Sequence, residues 1–231
     1  MKSVCVVGVV GLLIGAVPGV ASGQVVYNTG PATGFFTPFD SNTPAGTLYG
    51  DSGWFGSGGD APAAVTSLTL GLAVFGALAT AEGTADLVFT FNDGDPSGLV
   101  FGSGATLYST TLSNVTLPAT VAGLATYFEV EVPLPSVMTA GGFNNFGFSL
   151  GVENFNYDGS FGFQNRGAFN NLGFYTNNAS QFTPGSGWSV FAFGPNDPGD
   201  IANFVMTLEV PAPGGLAVLG LGAIAAVRRR R

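Results

Sequence analysis

The chain contains no histidine. That absence removes the imidazole general base, the commonest nitrogen ligand for metals, and every Ser-His-Asp arrangement. Cysteine occurs once, at Cys5, close to the N-terminus. The remainder has no disulfide and no thiolate metal site, so it must be held together by its own core. Lysine is absent after Lys2, which excludes Schiff-base chemistry and phosphate-binding P-loops. Charged residues make up only 9% of the chain, against about 25% in an average soluble domain. All fourteen acidic residues fall between Asp40 and Glu209, where Arg166 is the only basic residue. One positive against fourteen negative charges leaves this stretch at −13. Such a surface repels phosphate backbones, which excludes nucleic acid as a partner.

The first residues read as an export signal. Met1-Lys2-Ser3 is a short positive start, Val4 to Val17 is apolar, Pro18-Gly19 breaks a helix, and small residues run to Gly23. This order is that of a secretory signal peptide over residues 1–23, with cleavage expected between Gly23 and Gln24. Cys5 lies inside that segment, away from the cleavage point, so it is not a lipid-acceptor cysteine.

The last residues form a second targeting segment. Val210–Arg231 reads VPAPGGLAVLGLGAIAAVRRRR: a hinge at Pro211, Ala212 and Pro213, an apolar run, then Arg228, Arg229, Arg230 and Arg231. Apolar side chains favour the lipid interior and guanidinium groups are held at the cytoplasmic leaflet. The order therefore predicts a membrane handle with its end in the cytoplasm. From Gly214 to Val227 the run has fourteen residues, short of the roughly 20 that a full helical span needs. It fits a thinned bilayer with snorkelling arginines. The tail resembles the PEP-CTERM sorting signal of exported bacterial proteins, which is also labelled an ice-binding protein C-terminal domain. Pro211 and Pro213 match the family's two prolines, Arg228–Arg231 match its basic end, and Ala212 stands where the family usually has glutamate. The resemblance covers 210–231 alone. It implies retention at the inner membrane by a short apolar helix, recognition by an exosortase-like sorting protease, and delivery to the cell surface or beyond.

Residues 24–209 form one sizeable domain. Gly and Pro stay below the ~25–30% associated with disorder, and 21 phenylalanines supply core area. The pattern is period two. Leu68, Leu70, Leu72 and Val74 alternate with small or polar residues, as do Leu87, Phe89 and Phe91. Phe128–Leu134, Phe146–Val152 and Phe204–Val210 repeat the pattern. Shorter candidates are Val25–Tyr27, Thr47–Tyr49, Leu107–Val115, Ser160–Gln164 and Trp188–Phe193. Each places one apolar face inward. Some ten short strands separated by Gly, Asn, Asp and Pro predict an all-β, two-layer antiparallel sandwich, jelly-roll-like. A β-helix is the alternative, but no repeat period is present.

Chemistry-bearing residues are few. Asp93, Asp95, Ser97 and Gly98 match the opening of a calcium loop, in which alternating carboxylates offer oxygens to a hard cation. The closing bidentate glutamate is missing, since Gly104 occupies its position, and the same residues make an ordinary turn. Glu129 and Glu131 share one strand face and are the remaining option for glycosidic acid-base chemistry. Outward alternation predicts that both are solvent-facing, and a non-catalytic body is expected. Arg166 is expected to pair with an acidic neighbour. Trp54, Tyr157, Tyr175 and Trp188 lie in Gly- or Asn-rich surroundings and are candidate stacking faces for a surface polysaccharide. The expectation is an exported surface or matrix protein with a structural or adhesive role, or alternatively a carbohydrate-binding module.

Overall fold

The computed structural model describes residues 23–39, 43–55, 62–99, 102–139, 146–166, 172–175, 179–191 and 203–211. Residues 1–22 of the signal segment and nearly all of the tail, including Ala212, Pro213 and Arg228–Arg231, lie outside them. Thirteen strands and no helix are present among the described residues: β1 (Gln24–Asn28), β2 (Ala32–Phe39), β3 (Leu48–Trp54), β4 (Ala64–Phe75), β5 (Gly83–Gly94), β6 (Gly102–Leu117), β7 (Ala125–Met138), β8 (Phe146–Asn156), β9 (Ser160–Arg166), β10 (Phe174–Tyr175), β11 (Ala179–Thr183), β12 (Gly187–Phe191) and β13 (Met206–Val210). The chain is all-β, with two antiparallel sheets.

One sheet has six strands and runs β1-β13-β4-β9-β2, with β7 on the other edge of β4. β13 and β9 share an edge of β4 in succession: Ser67–Leu70 pairs with β13 and Leu72–Phe75 with β9. The second sheet has seven strands and runs β12-β11-β3-β8-β5-β6, with β10 also pairing β3. The described pairings are all antiparallel, unlike those of a β-helix. Alternation decides what each strand buries. Leu68, Leu70, Leu72 and Val74 of β4, Leu87, Phe89 and Phe91 of β5, and Phe146, Phe148 and Leu150 of β8 are all fully buried. A buried side chain of this size contributes about 1.5–3 kcal/mol. Rings from the two sheets meet: Phe148 packs edge-on to Phe163 at 5.8 Å, Tyr49 to Phe39 at 4.8 Å, and Phe146 to Tyr27 at 4.8 Å.

Three strands have no counterpart in the sequence pattern. β2 contains adjacent Phe35 and Phe36, Pro38, and a register shift between Ala32 and Phe36, so its period of two is broken. β10 and β11 are short, and neither alternates clearly. The final strand begins at Met206, two residues later than its apolar spacing suggests. Just before it, the Phe204 N–H donates to Asp51 Oδ2 at 2.9 Å, and the Val205 N–H and C=O bond to Gln164 and Gly71. This stretch therefore bonds to neighbours other than the regular ladder.

The registers give the body two unlike ends. Gln24 pairs with Val210, so the first and last strands finish side by side. β4 runs antiparallel to β13, which carries Phe75 to the opposite end. There Phe75 pairs with Ala125 and Ser160, Phe39 with Phe161, Gly83 with Leu117, and Leu48 with Phe182. The segments 43–47, 76–82, 118–124, 157–159 and 184–186 therefore gather at this second, loop end.

Candidate functional site

A cleft of about 980 Å³ opens at the loop end. Its walls are the end of β2 at Phe39, the Thr43–Thr47 segment, Phe75 and Ala77 after β4, the end of β8 from Val152 to Phe155, and the Tyr157–Ser160 turn into β9. Ligand sites typically span ~300–1,000 Å³. Among the described lining residues, Glu153 and Asp158 are acidic and none is basic. Phe155 is 41% exposed and meets Tyr157 edge-on at 6.2 Å. Thr47 is buried, and its Oγ1 has no hydrogen-bond partner.

The wall containing Asn154 is shaped by a carboxylate. Around Asp86 the register of β5 slips against both neighbours, between Thr84 and Asp86 where it pairs with β8 and between Ala85 and Leu87 where it pairs with β6. An extra residue of this kind re-aims side chains and adds twist. Asn154 Nδ2 donates to Asp86 Oδ2 at 2.6 Å, and the Asn114 N–H donates to Oδ1 at 2.7 Å. Both asparagines have left-handed backbone, with φ of 45° and 55°, a conformation asparagine tolerates better than most residues. The Asn154 bond, followed by the Asn114 bond, holds the Asp86 carboxyl below the usual aspartate range, with slight burial opposing them.

A chain of hydroxyls fixes the other wall. The Tyr157 hydroxyl donates to the Pro118 carbonyl at 3.1 Å and lies 2.7 Å from Thr80 Oγ1, which lies 2.8 Å from Thr120 Oγ1. A phenol has one hydrogen, so with Pro118 accepting it, Thr80 must donate to Tyr157 and Thr120 to Thr80. Tyr157 is thus locked between the 76–82 and 118–124 segments.

The expected calcium residues occupy the opposite end, where the chain leaves β5. Asp95 is fully buried. Its carboxylate accepts from the Ser180 hydroxyl, at 2.8 and 3.0 Å from the two oxygens, from the Ser97 N–H at 2.8 Å, and from the Ser97 hydroxyl. Asp93 is half-exposed and accepts from the Ser103 hydroxyl at 2.6 Å. The Gly98 N–H closes a turn on the Asp95 carbonyl at 2.9 Å. Among the described residues no three His, Cys, Asp or Glu side chains form a group able to hold a metal ion. Asp95 instead fastens the β5–β6 connection to β11. The connection crosses the outer face of the seven-stranded sheet over glycines: a Cβ on Gly147 would collide with the Gly94 carbonyl, and one on Gly50 would lie 2.6 Å from Pro96 Cγ.

The other candidates are dispersed. Glu129 and Glu131 are exposed on β7. Trp54 stacks on Phe174 at 5.9 Å, and Trp188 packs on Phe182 at 5.5 Å. Only Tyr157 among the four named aromatics lines the cleft. The side chains of Tyr175 and Arg166 lie outside the described residues, and Pro211 is the last described residue of the hinge. Thr47, Glu153, Asn154, Phe155 and Asp158 were not singled out by spacing. For Asn154, Phe155 and Asp158 the signal is the run Asn154-Phe155-Asn156-Tyr157-Asp158-Gly159, which puts aromatic, amide and acidic groups into one turn between two apolar strands.

These features define an all-β protein of two antiparallel sheets with a cleft at one end. No protein-family model, no curated protein and no solved structure matches the chain.

Proposed function

We propose that this chain is an exported protein with a structural or adhesive role at the cell surface or in the extracellular matrix. In this reading residues 1–23 are removed as a signal peptide and 24–209 form a two-layer sandwich of jelly-roll-like form. The 210–231 tail holds the body at the inner membrane until an exosortase-like protease acts near Pro211–Pro213. The body is non-catalytic. The observation that supports this is the pairing of Gln24 with Val210 at one end of the body, opposite the loops and the cleft. A body held by its C-terminal tail would stand with its loop end facing away from the membrane.

The test is fractionation and surface labelling of intact cells. Mature protein is expected to begin at Gln24 and to react with a membrane-impermeant reagent. Deleting Gly214–Arg231 is expected to release it in soluble form. Identical fractionation of truncated and full-length protein, or a mature chain that still begins at Met1, would overturn the proposal. The cleft favours a second reading of the same display, in which the adhesive contact is to carbohydrate.

A further inference from the structure

We infer that the cleft at the loop end binds a neutral oligosaccharide, with Phe155 as the stacking face and Asp158, Glu153 and Asn154 as the polar contacts. The inference rests on the carbohydrate reading of the displayed body and adds its site and ligand class. Four observations carry it. First, the cleft is as large as sites that hold small organic ligands. Second, Phe155 lines it while remaining 41% exposed, a large aromatic surface facing water. A sugar ring has an apolar C–H face that packs against an aromatic plane.

Third, the polar groups suit hydroxyls. Carboxylates accept only, an asparagine amide both donates and accepts, and a sugar hydroxyl can do either. Fourth, charge narrows the class. Among the described lining residues two are acidic and none is basic, and Arg166 is the only basic residue within 24–209. Uronate, sulfate and phosphate groups are repelled by such a field, which leaves uncharged saccharides.

The other aromatic pairs serve this purpose less well. Trp54 and Phe174 lie nearly parallel and cover one face of each other at 11°, at the end of β3 away from the cleft. Phe155 and Tyr157 meet at 71°, and Tyr157 is held by its hydroxyl bonds. The site is therefore half fixed, with one ring locked and the other available.

The experiment uses full-length protein in detergent, titrated calorimetrically with maltohexaose, cellohexaose, mannohexaose and xylohexaose, with hexagalacturonate as the anionic comparison. At least one neutral hexasaccharide is expected to bind and the galacturonate is not. Phe155→Ala should weaken that binding roughly tenfold, the scale of one lost aromatic contact. Asp158→Asn should weaken it several-fold, and Phe174→Ala at the other end should leave it unchanged. Melting curves establish that each variant is folded, and Asp158→Asn serves alone if Phe155→Ala is not. No binding by any neutral probe, stronger binding of galacturonate, or wild-type affinity in both cleft variants would overturn the inference. Surface labelling of intact cells is read in parallel. Labelled protein that binds no probe sinks the saccharide inference alone, whereas unlabelled protein that binds a neutral probe sinks the display reading alone.

Discussion

Asp95 and Asp86 do the same kind of work at opposite ends of the body. Each carboxylate accepts hydrogen bonds that join a neighbouring strand to β5 or its connection: Asp95 ties the β5–β6 connection to β11, and Asp86 ties β5 to Asn114 on β6 and Asn154 on β8. Asp95 is sealed from solvent at the end where the chain termini of the body meet, and Asp86 is reached by water at the cleft end. The difference shows how one device yields rigidity in one place and tolerance in another. A buried bond to a charged group contributes about 1.5–3 kcal/mol, whereas a solvated one competes with water. The same contrast extends to the surroundings. The termini end is closed by ladders and by a connection pressed onto glycines. The loop end is built from connecting segments that carry exposed Leu78, Val121, Leu124 and Phe155, although Val25, Leu99, Met138 and Phe174 are exposed at the termini end as well.

Both ends depend on one core, so the largest effect is expected there. Phe163 stacks on Phe204 at 4.3 Å and meets Phe148 of the other sheet. Phe163→Ala should destabilise the protein by about 3–5 kcal/mol, read as a lower urea midpoint. Loss of the two ends in separate transitions would break the picture of a shared core. Asp95→Ala should follow, at about 2–3 kcal/mol, because it strands the Ser97 N–H and the buried Ser180 hydroxyl. Faster hydrogen exchange should then be confined at first to β11 and the 95–99 turn. A change below about 0.5 kcal/mol would mean that water replaces the carboxylate freely.

Asp86 should matter less and in a pH-dependent way. Its carboxyl is held below the usual range, so its contribution is present above the ordinary aspartate pKa. The contribution is lost as pH falls through the lowered value. The melting-temperature gap between wild type and Asp86→Ala should be steady from pH 7 to about 5 and close as the pH drops below about 4. A gap that widens in acid would reverse the sign of the effect. The smallest effect is expected from calcium. With the Asp95 oxygens accepting from serine hydroxyls, melting in millimolar calcium and in chelator should give the same midpoint, and a rise abolished by Asp93→Asn would place an ion there instead.

The sequence by itself determined the fold class, because alternation is a local property: Leu68 to Val74, Leu87 to Phe91 and Phe146 to Leu150 announce one buried face without any knowledge of partners. It also determined the outward position of Glu129 and Glu131, and the scarcity of bases that gives the cleft its acidic lining. β2 was not legible because Phe35-Phe36, Pro38 and a bulge break the period, and β11 because Ala179-Ser180-Gln181-Phe182-Thr183 has no apolar alternation. The cleft was decided only by tertiary structure. Thr47, Phe75 and Phe155 are far apart in the chain, and only the registers of β2, β4, β8 and β9 bring their strand ends to one place. Asp95 makes the same point from the other side. Its spacing from Asp93 and Ser97 is that of an ion loop, but its oxygens are taken by Ser97 and by Ser180, the latter 85 residues away along the chain. Spacing reports which groups lie near one another along the backbone, whereas a carboxylate bonds to whatever donor the packed sheets bring within about 3 Å.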